Sequence, residues 1–385
     1  MGGQSVKKRL GLIFINDDQW VGGTYYTINL IHALNLLNEE EKPEIVAFSN
    51  VEDFAKLQIE TNYPYLIYEK FVQDKPNVVV RIINKITSKA LKKVIFKQQF
   101  KGHLDALFIM QRSGYLESVP FEKRIYWIPD FQDKHYPEFF TPEGLSKKHE
   151  RSQWIANNAR NIVLSSESVK KDWVQYYPQY RGNTTVVHFA VTHPEYDSLE
   201  LTNLKNKFKL PEIYFFSPNQ FWAHKNHMVV IKAAGILKQQ GNPRVIAFSG
   251  KENDNRNPGY TEKLKAYVKE NDLDDVVRFL GFLDRREQLK LMKHATAVIQ
   301  PSLFEGWSTV IEDAMAMNQK IIASDLEVNI EQLGEKGLYF ERYNSNELSQ
   351  KIIDVFGKSN QTFDYEYINK LKTFGYNFKS LINSI

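Results

Sequence analysis

The sequence contains no cysteine among its 385 residues, which excludes disulfide bonds and thiolate metal sites. It also lacks a long apolar run, because no stretch approaches the roughly eighteen apolar residues that a membrane-spanning helix needs. The N-terminal MGGQSVKKRLGLIF has a short apolar segment that continues into a strand-like pattern, so we expect no signal peptide. A net charge of +4 is too small to favour a nucleic-acid partner. These absences favour a cytoplasmic protein.

The composition is that of an ordinary globular protein. Apolar residues make up 42% of the sequence and charged residues 25%. The length corresponds to about two to three domains of usual size. Short apolar runs alternate with helical patterns through both halves of the chain, and this alternation predicts an α/β fold.

The most informative stretch is AVIQPSLFEGWSTVIEDAMAM at residues 297–317. Its apolar start predicts a buried strand that Pro301 ends, and a helix is expected to begin near Ser308 or Thr309. In open α/β sheets, ligands bind at such carboxyl ends of strands. The free N–H groups of a new helix also favour an anion there. This junction is therefore the first candidate for a binding site.

Three carboxylates follow the predicted strand. Thr309 and Glu312 stand in T-x-x-E spacing, which predicts that Glu312 is the capping-box partner of the helix start. Glu305 precedes the helix, beside a glycine, where a cap does not require it. Asp313 lies one residue past the box and is expected to be free to accept hydrogen bonds from hydroxyls. Glu305 and Asp313 are therefore the better candidates for contact with a ligand.

The run EGWSTVIEDAMA at residues 305–316 resembles, without a gap, the EGFGLPVLEAMA-type motif of retaining glycosyltransferases of family 4. The resemblance implies the GT-B architecture, an α/β fold with two Rossmann-like domains facing across a cleft. Residues 1–195 would form the acceptor-binding domain and residues 205–363 the nucleotide-sugar-binding domain. Residues 364–385 would form a helix that crosses back to the first domain, and the hinge would lie near residues 190–208.

In that family, the first Glu of the motif meets the donor sugar and the second meets the nucleotide ribose. By position these are Glu305 and Asp313. Because Asp is one methylene shorter than Glu, either Asp313 or Glu312 could reach the ribose. The neighbouring residues of the motif that are also expected to bind the donor are Gly306, Trp307, Ser308 and Thr309.

A second motif, FFSPNQFWAHKNH, occupies residues 215–227. Here the family usually places an Arg and a Lys five residues apart, both on the donor pyrophosphate, whereas this sequence has Gln220 and Lys225. Lys225 precedes a helix expected near Asn226, so a point charge and helix N–H groups would meet a diphosphate together. Lys251 is the candidate for the missing cation. The other donor-binding residues implied by the resemblance are Gly22, Gly23, Asn219, Gly281 and Leu283.

The segment WIPDFQDKHYPEFF at residues 127–140 resembles a family pattern of the type HDLSPLRFPEYF. Pro129 occupies the position of the family histidine, while Asp130 is retained at a predicted strand end. We therefore expect Asp130 to be catalytic, together with Lys225 and Glu305. His135 is interpreted as a surface histidine.

A basic tract from Lys75 to His103 contains no acidic residue. Four of its lysines, Lys85, Lys89, Lys92 and Lys93, recur at helical spacing among apolar residues. This is the pattern of a helix that lies on an anionic membrane surface, and it is equally the pattern of a solvated helix face. The first reading predicts docking on the inner face of a membrane, where these lysines would help to bind a lipid-linked glycan acceptor.

The function implied by the resemblance is transfer of a sugar, with retention, from a UDP or GDP sugar to a hydroxyl acceptor in O-antigen or capsule synthesis. Neutralising the leaving diphosphate is the main electrostatic task. No cofactor and no metal are expected, since the Asp-x-Asp at residues 272–274 lies in a polar connection. Two alternatives stay open. One is a GT-B-shaped sugar-nucleotide epimerase, and the other is an idle relative that binds donors or scaffolds an assembly.

Overall fold

The computed structural model describes residues 7–15, 21–71, 99–109, 114–252, 254, 257–357 and 363–385. Two parallel sheets organise these residues, one in each half of the chain. The four lysines of the basic tract that were predicted to contact acceptor or membrane, Lys85, Lys89, Lys92 and Lys93, lie outside the described residues.

The first sheet has seven strands in the order β3-β2-β1-β4-β5-β6-β7, and neighbouring strands are parallel. The strands are β1 (Arg9–Ile13), β2 (Glu44–Ser49), β3 (Leu66–Lys70), β4 (Ala106–Ile109), β5 (Arg124–Ile128), β6 (Asn161–Leu164) and β7 (Asn183–Val186). The helices that accompany them are α1 (Val21–Asn35), α2 (Val51–Thr61), α3 (Gln132–His135), α4 (Pro142–Asn158) and α5 (Glu167–Tyr176). Central strands such as β4 and β6 are buried along their whole length, which is why they read as apolar runs.

The second sheet has six strands in the order β10-β9-β8-β11-β12-β13. The strands are β8 (Tyr214–Ser217), β9 (Val245–Phe248), β10 (Val277–Phe279), β11 (Val298–Gln300), β12 (Ile321–Ser324) and β13 (Leu338–Phe340). The helices of this half are α6 (Leu201–Phe208), α7 (His227–Gln239), α8 (Tyr260–Glu270), α9 (Arg285–Lys293), α10 (Thr309–Ala316), α11 (Glu327–Leu333) and α12 (Ser345–Gly357). Although α6 lies wholly within the predicted hinge, its Leu204 packs in the core of this second sheet.

The last helix, α13 (Tyr367–Asn383), returns to the first half of the chain. Its Phe374 and Phe378 are fully buried in the first core, beside Leu30 and Leu34 of α1. Gly375 allows the close approach, because a Cβ at this position would lie 2.4 Å from the carbonyl oxygen of Ala33. The terminal helix therefore crosses back as the resemblance implies.

The order of the second sheet fixes where a ligand can bind. The strands that follow β8 in the chain, β9 and β10, extend the sheet on one side, whereas β11 lies on the other side of β8. The loops after β8 and β11 therefore diverge and leave a crevice at the carboxyl ends of these two strands. Lys225 follows β8 and Glu305 follows β11, so the fold brings the two strongest sequence motifs to one crevice.

No helix in the described part of the chain combines the length and the apolar character needed to cross a membrane.

Candidate functional site

Lys225 and Glu305 form an ion pair at the crevice between β8 and β11. Nζ of Lys225 donates to Oε1 of Glu305 at 2.6 Å, and the two side chains are only 13% and 9% exposed. Lys225 ends a short 3-10 turn, and Asn226, with φ of 52°, leads into α7 without capping it. The amide of Asn226 instead donates to the carbonyl of Pro301 at 3.2 Å, which ties the two loops together. The first N–H of α7, that of His227, donates to the hydroxyl of Tyr260 at 3.2 Å, so the lysine stands before a helix N-terminus whose cap residue does not cap it.

Gln300, the last residue of β11, also donates a hydrogen bond to the carboxylate of Glu305. Its Nε2 donates to Oε1 of Glu305 at 2.7 Å and to Oγ of Ser302 at 3.0 Å, and its side chain is fully buried. The sequence analysis did not single out this residue. The sequence did offer one sign of it: Gln300 is a polar residue that directly follows the apolar run Ala297–Ile299, at the end of the predicted strand.

Gly306 brings the Glu305 loop against the first half of the chain. A Cβ at this position would lie 2.1 Å from the carbonyl oxygen of Pro129 and 2.9 Å from Cβ of Asp130. Asp130 accepts a hydrogen bond from the backbone N–H of Gln132 at 3.1 Å and is 30% exposed. The structure therefore brings together all three residues that we expected to be catalytic.

The capping-box prediction for Glu312 is wrong. Helix α10 begins at Thr309, and Ser308 is its N-cap, with Oγ accepting from the N–H of Ile311 at 3.4 Å. The cap falls one residue earlier than predicted, so Ile311 takes the box position and cannot return a hydrogen bond. Glu312 points into the interior instead.

Buried Glu312 accepts three hydrogen bonds. They come from Nε1 of Trp307 at 3.0 Å, Nε2 of Gln332 at 2.8 Å and the hydroxyl of Tyr367 at 2.5 Å. Burial raises the pKa of Glu312, and these hydrogen bonds offset only part of that effect. Trp307 and Ser308 are buried, and their side chains are engaged within the protein: the indole N–H donates to Glu312 and to the carbonyl of Phe189, and Oγ of Ser308 accepts from Ile311. Their contact with a donor stays a prediction, as does that of exposed Thr309.

Asp313 is not free, contrary to expectation. Arg285 binds it with two hydrogen bonds, from Nη1 to Oδ2 at 2.7 Å and from Nη2 to Oδ1 at 2.5 Å. Nε2 of His193 lies 3.1 Å from Oδ1, and the aspartate is only 1% exposed. Burial alone would raise the pKa of Asp313, but the charges of Arg285 and His193 outweigh it and lower that pKa below its usual value.

The two partners of Asp313 were missed by the sequence analysis. Arg285 is the first residue of α9, where the helix dipole disfavours a cation. A cation at such an unfavourable position could have indicated that it pairs with an anion elsewhere in the fold. Its guanidinium lies 5.6 Å from the ring of Tyr25 on α1. His193 lies in the segment that connects the two halves. Asp313 is therefore clamped where first domain, connecting segment and second domain meet.

The loops after β8, β9 and β10 are linked at the same edge of the sheet. Oε1 of Gln220 accepts from the backbone N–H of Lys251 at 2.9 Å, so this amide supports the backbone. The side chain of Lys251 is exposed, and its Nζ lies 5.1 Å from the ring centroid of Phe282. Gly281, with φ of 71°, accepts from the N–H of Gly250 at 2.9 Å. A role for Lys251 as the second cation stays a prediction.

The remaining predicted donor residues lie on both sides of the crevice. Asn219 and Leu283 are buried after β8 and β10. Gly22 and Gly23 lie in the first turn of α1, and a Cβ at Gly22 would meet no atom of the described residues within 4 Å. His135 is 39% exposed and lies 2.8 Å from Asp172.

No cluster of three or more His, Asp or Glu side chains suited to a metal ion is found among the described residues. Metal independence stays a prediction.

Comparison with known proteins identifies relatives of part of the chain. A model of the family described as glycosyl transferases group 1 matches residues 202–373. The O-antigen chain mannosyltransferase RfbU of Salmonella typhimurium is 25% identical over 214 residues, 55% of each chain. The capsular polysaccharide biosynthesis glycosyltransferase CapH of Staphylococcus aureus is 26% identical over 195 residues, 50% of this chain and 53% of CapH. The chain thus spans about half the length of the curated relatives it matches.

Solved structures resemble the chain over nearly its whole length. A glycosyltransferase from Rickettsia africae has a TM-score of 0.62 at 15% identity, covering 98% of this chain and 94% of that one. Anabaena Alr3699/HepE in complex with UDP and glucose has a TM-score of 0.61 at 14% identity, covering 98% and 95%. With the two parallel sheets, these likenesses confirm the expected GT-B fold.

Proposed function

Because residues 202–373 match the model of the glycosyl transferases group 1, we propose that this protein is a glycosyltransferase that moves a sugar from a nucleoside diphosphate sugar to a hydroxyl acceptor. The observation that carries the proposal is the buried Lys225–Glu305 pair at the crevice between β8 and β11. A cation beside a helix N-terminus suits the charge that develops on a leaving diphosphate.

The chemistry assigned to each residue follows from its charge. Lys225, with the positive end of the α7 dipole, would neutralise the diphosphate as the bond to the sugar breaks. Glu305 would then exchange its ion pair for hydrogen bonds from hydroxyls of the donor sugar. Asp130, held beside Gly306, would face the acceptor from the first domain. Neither a protein nucleophile nor a metal is needed for this scheme, and we propose that transfer proceeds with retention.

We further propose that the acceptor is a lipid-linked glycan of a bacterial surface polysaccharide. The names of the two curated relatives, which act in O-antigen and capsule synthesis, support this choice. So does the basic tract of the sequence, which contains no acidic residue from Lys75 to His103. Co-sedimentation with anionic vesicles should fall when Lys85, Lys89, Lys92 and Lys93 are changed to Gln, and binding that ignores these changes would favour a soluble acceptor.

The experiment that tests the function begins with thermal unfolding in the presence of UDP, GDP and a panel of their sugars. Ligands that bind only the folded protein raise its melting temperature by mass action. The nucleotide sugar that stabilises most is then incubated with protein and acceptor glycolipids, and the product is identified by mass spectrometry. Stabilisation without transfer or donor hydrolysis would point to a donor-binding protein without enzymatic activity, and conversion to an epimeric sugar nucleotide would identify an epimerase.

A further inference from the structure

We infer that Gln300 is a positioning residue, which fixes the carboxylate of Glu305 so that one of its oxygens faces the donor sugar. The inference rests on the proposed function. It assigns a role to a residue that lies outside both family motifs, residues 215–227 and 305–316. Gln300 does not touch the cleft, because its side chain is fully buried at the end of β11. Its effect on the reaction would be exerted through Glu305.

The two oxygens of Glu305 are placed differently. Oε1 accepts from Nζ of Lys225 at 2.6 Å and from Nε2 of Gln300 at 2.7 Å. Within the part of the chain that the structure describes, Oε2 receives no hydrogen bond. One oxygen is therefore held by the protein, while the other is left to accept from a sugar hydroxyl.

The chemistry of the carboxylate fixes the orientation of the Gln300 amide. An ionised carboxylate only accepts hydrogen bonds, so the amide must turn its NH₂ group toward Glu305. Its Oε1 is then buried without a partner among the described residues. A buried acceptor without a partner is unfavourable, and an apolar residue at this strand end would avoid it. Stability alone therefore does not explain a glutamine here.

Gln300 matters most once a donor is bound. A diphosphate would compete with Glu305 for Lys225 and weaken the hydrogen bond between the two side chains. Gln300 would then be the remaining hydrogen-bond donor on Oε1 among the described residues. Without it, the carboxylate could rotate and lose its alignment with the sugar, and misplacement by about 1 Å can cost on the order of a hundredfold in rate.

The test uses the best donor from the thermal-unfolding panel and measures its consumption by the full chain. For Gln300→Leu we expect kcat to fall roughly tenfold to a hundredfold. Affinity for UDP or GDP should stay within about twofold, because Glu305 meets the sugar and not the nucleotide in this scheme. The matched control is Gln319→Leu. Gln319 is also a buried glutamine, but it lies at the amino ends of the strands, before β12, and donates to carbonyls of residues 292, 293 and 295.

A second variant gives a readout that a loss of packing would not produce. Gln300→Glu keeps the shape but sets a second carboxylate against Glu305, and such a pair retains a proton at higher pH than a single carboxylate. The acid side of its pH–rate profile should therefore move to higher pH, while the Gln319→Leu profile matches that of the wild type. Wild-type kcat in Gln300→Leu, or an unmoved profile in Gln300→Glu, would overturn the inference. A wild-type protein that neither binds nor consumes any donor would instead refute the proposed function.

Discussion

Lys225 and Glu305 face each other in a site that is nearly closed to solvent. Because a buried ion pair recovers its desolvation cost only in part, the pair is weak evidence for stability. A diphosphate that displaces Glu305 from Lys225 would give the lysine a new anion and free the carboxylate for hydroxyls. Each side chain therefore has a partner before a donor arrives and would gain a new one when it binds.

Changing Lys225 to alanine should lower kcat by about a hundredfold or more at saturating donor, because one charged donor to the leaving group is lost. Binding of UDP or GDP should weaken, whereas binding of uridine or guanosine should not. Steady-state kinetics and titration calorimetry measure these two effects. Lys238→Ala on the same helix is the control, since Lys238 pairs with Asp275. A near-normal kcat in Lys225→Ala would contradict the assignment.

Glu312 should contribute to stability far more than a helix cap does. Glu312→Ala leaves the Tyr367 hydroxyl and one N–H of the Gln332 amide without their acceptor, while the Trp307 N–H keeps only the carbonyl of Phe189, and we expect a loss of about 3 kcal/mol in the free energy of unfolding. Urea unfolding measures it. A loss of about 1 kcal/mol or less, the usual range for a cap, would contradict this role.

The raised pKa of Glu312 also predicts a pH dependence. The folded protein holds the proton of this carboxyl more tightly than the unfolded chain, so folding becomes less favourable as pH rises above the ordinary value of 4.5. Glu312→Gln removes this group from titration. Its free energy of unfolding should therefore improve relative to the wild type between pH 4.5 and 7.5, and a constant difference would contradict the prediction.

The residues of the candidate site could be predicted from the sequence only where they lie in a recognisable motif or contact residues close to them in the chain. Glu305 and Gly306 lie in one strand–loop–helix unit, and Lys225 stands directly before its helix. Glu312 was misjudged because its acceptor role depends on Gln332 and Tyr367, which are 20 and 55 residues away. Spacing patterns such as the capping box relate residues only three or four positions apart, so they cannot predict these contacts.

Helices and strands follow from the sequence more directly than side-chain partners do. Parallel strands covered on both faces are apolar runs, as β4, β5 and β6 are, and the alternation of such runs with helical patterns predicted the α/β fold. Helix α6 was not singled out because it lies in the segment interpreted as the hinge, although Leu201, Leu204 and Phe208 recur at helical spacing. Its place became clear only from the packing of Leu204 and its neighbours.

The loop before α10 should tolerate no side chain at position 306. Gly306→Ala would place a Cβ against the carbonyl oxygen of Pro129, and backbone cannot move away as a flexible side chain does. We expect a loss of about 1–3 kcal/mol in the free energy of unfolding, measured in urea. Gly235→Ala on α7 is the control, because its Cβ would lie 3.5 Å from Leu273 and should gain about 0.5–1 kcal/mol. Equal effects of the two changes would show that the two halves do not meet at Gly306.

Carboxylates of the second half hold both the connecting segment and the first half. Glu331 lies 2.7 Å from Nε2 of His188 and accepts from the backbone N–H groups of Glu167 and Ser168 at the start of α5. Burial would raise the pKa of Glu331, but His188 and these N–H groups together lower it. Asp313 plays the same part toward His193.

These contacts should fail in acid. A carboxyl whose pKa is lowered by folding stabilises the protein above its unfolded value, here 4.5 for Glu331, and loses that contribution as pH falls through the folded value. Glu331→Gln should therefore cost roughly 1 kcal/mol at pH 7 and progressively less below pH 4.5. Chemical unfolding of wild type and variant at several pH values gives this difference, and a cost that grows in acid would have the wrong sign.

The return of α13 to the first core has a consequence for recombining parts of such proteins. Exchanging only the N-terminal half for that of a relative, to change which acceptor is used, would leave Phe374 and Phe378 facing a foreign α1. Gly375 would face a backbone that it did not evolve beside. The segment to be exchanged is therefore discontinuous in the gene. The first half and the last helix, of seventeen residues, have to be replaced together.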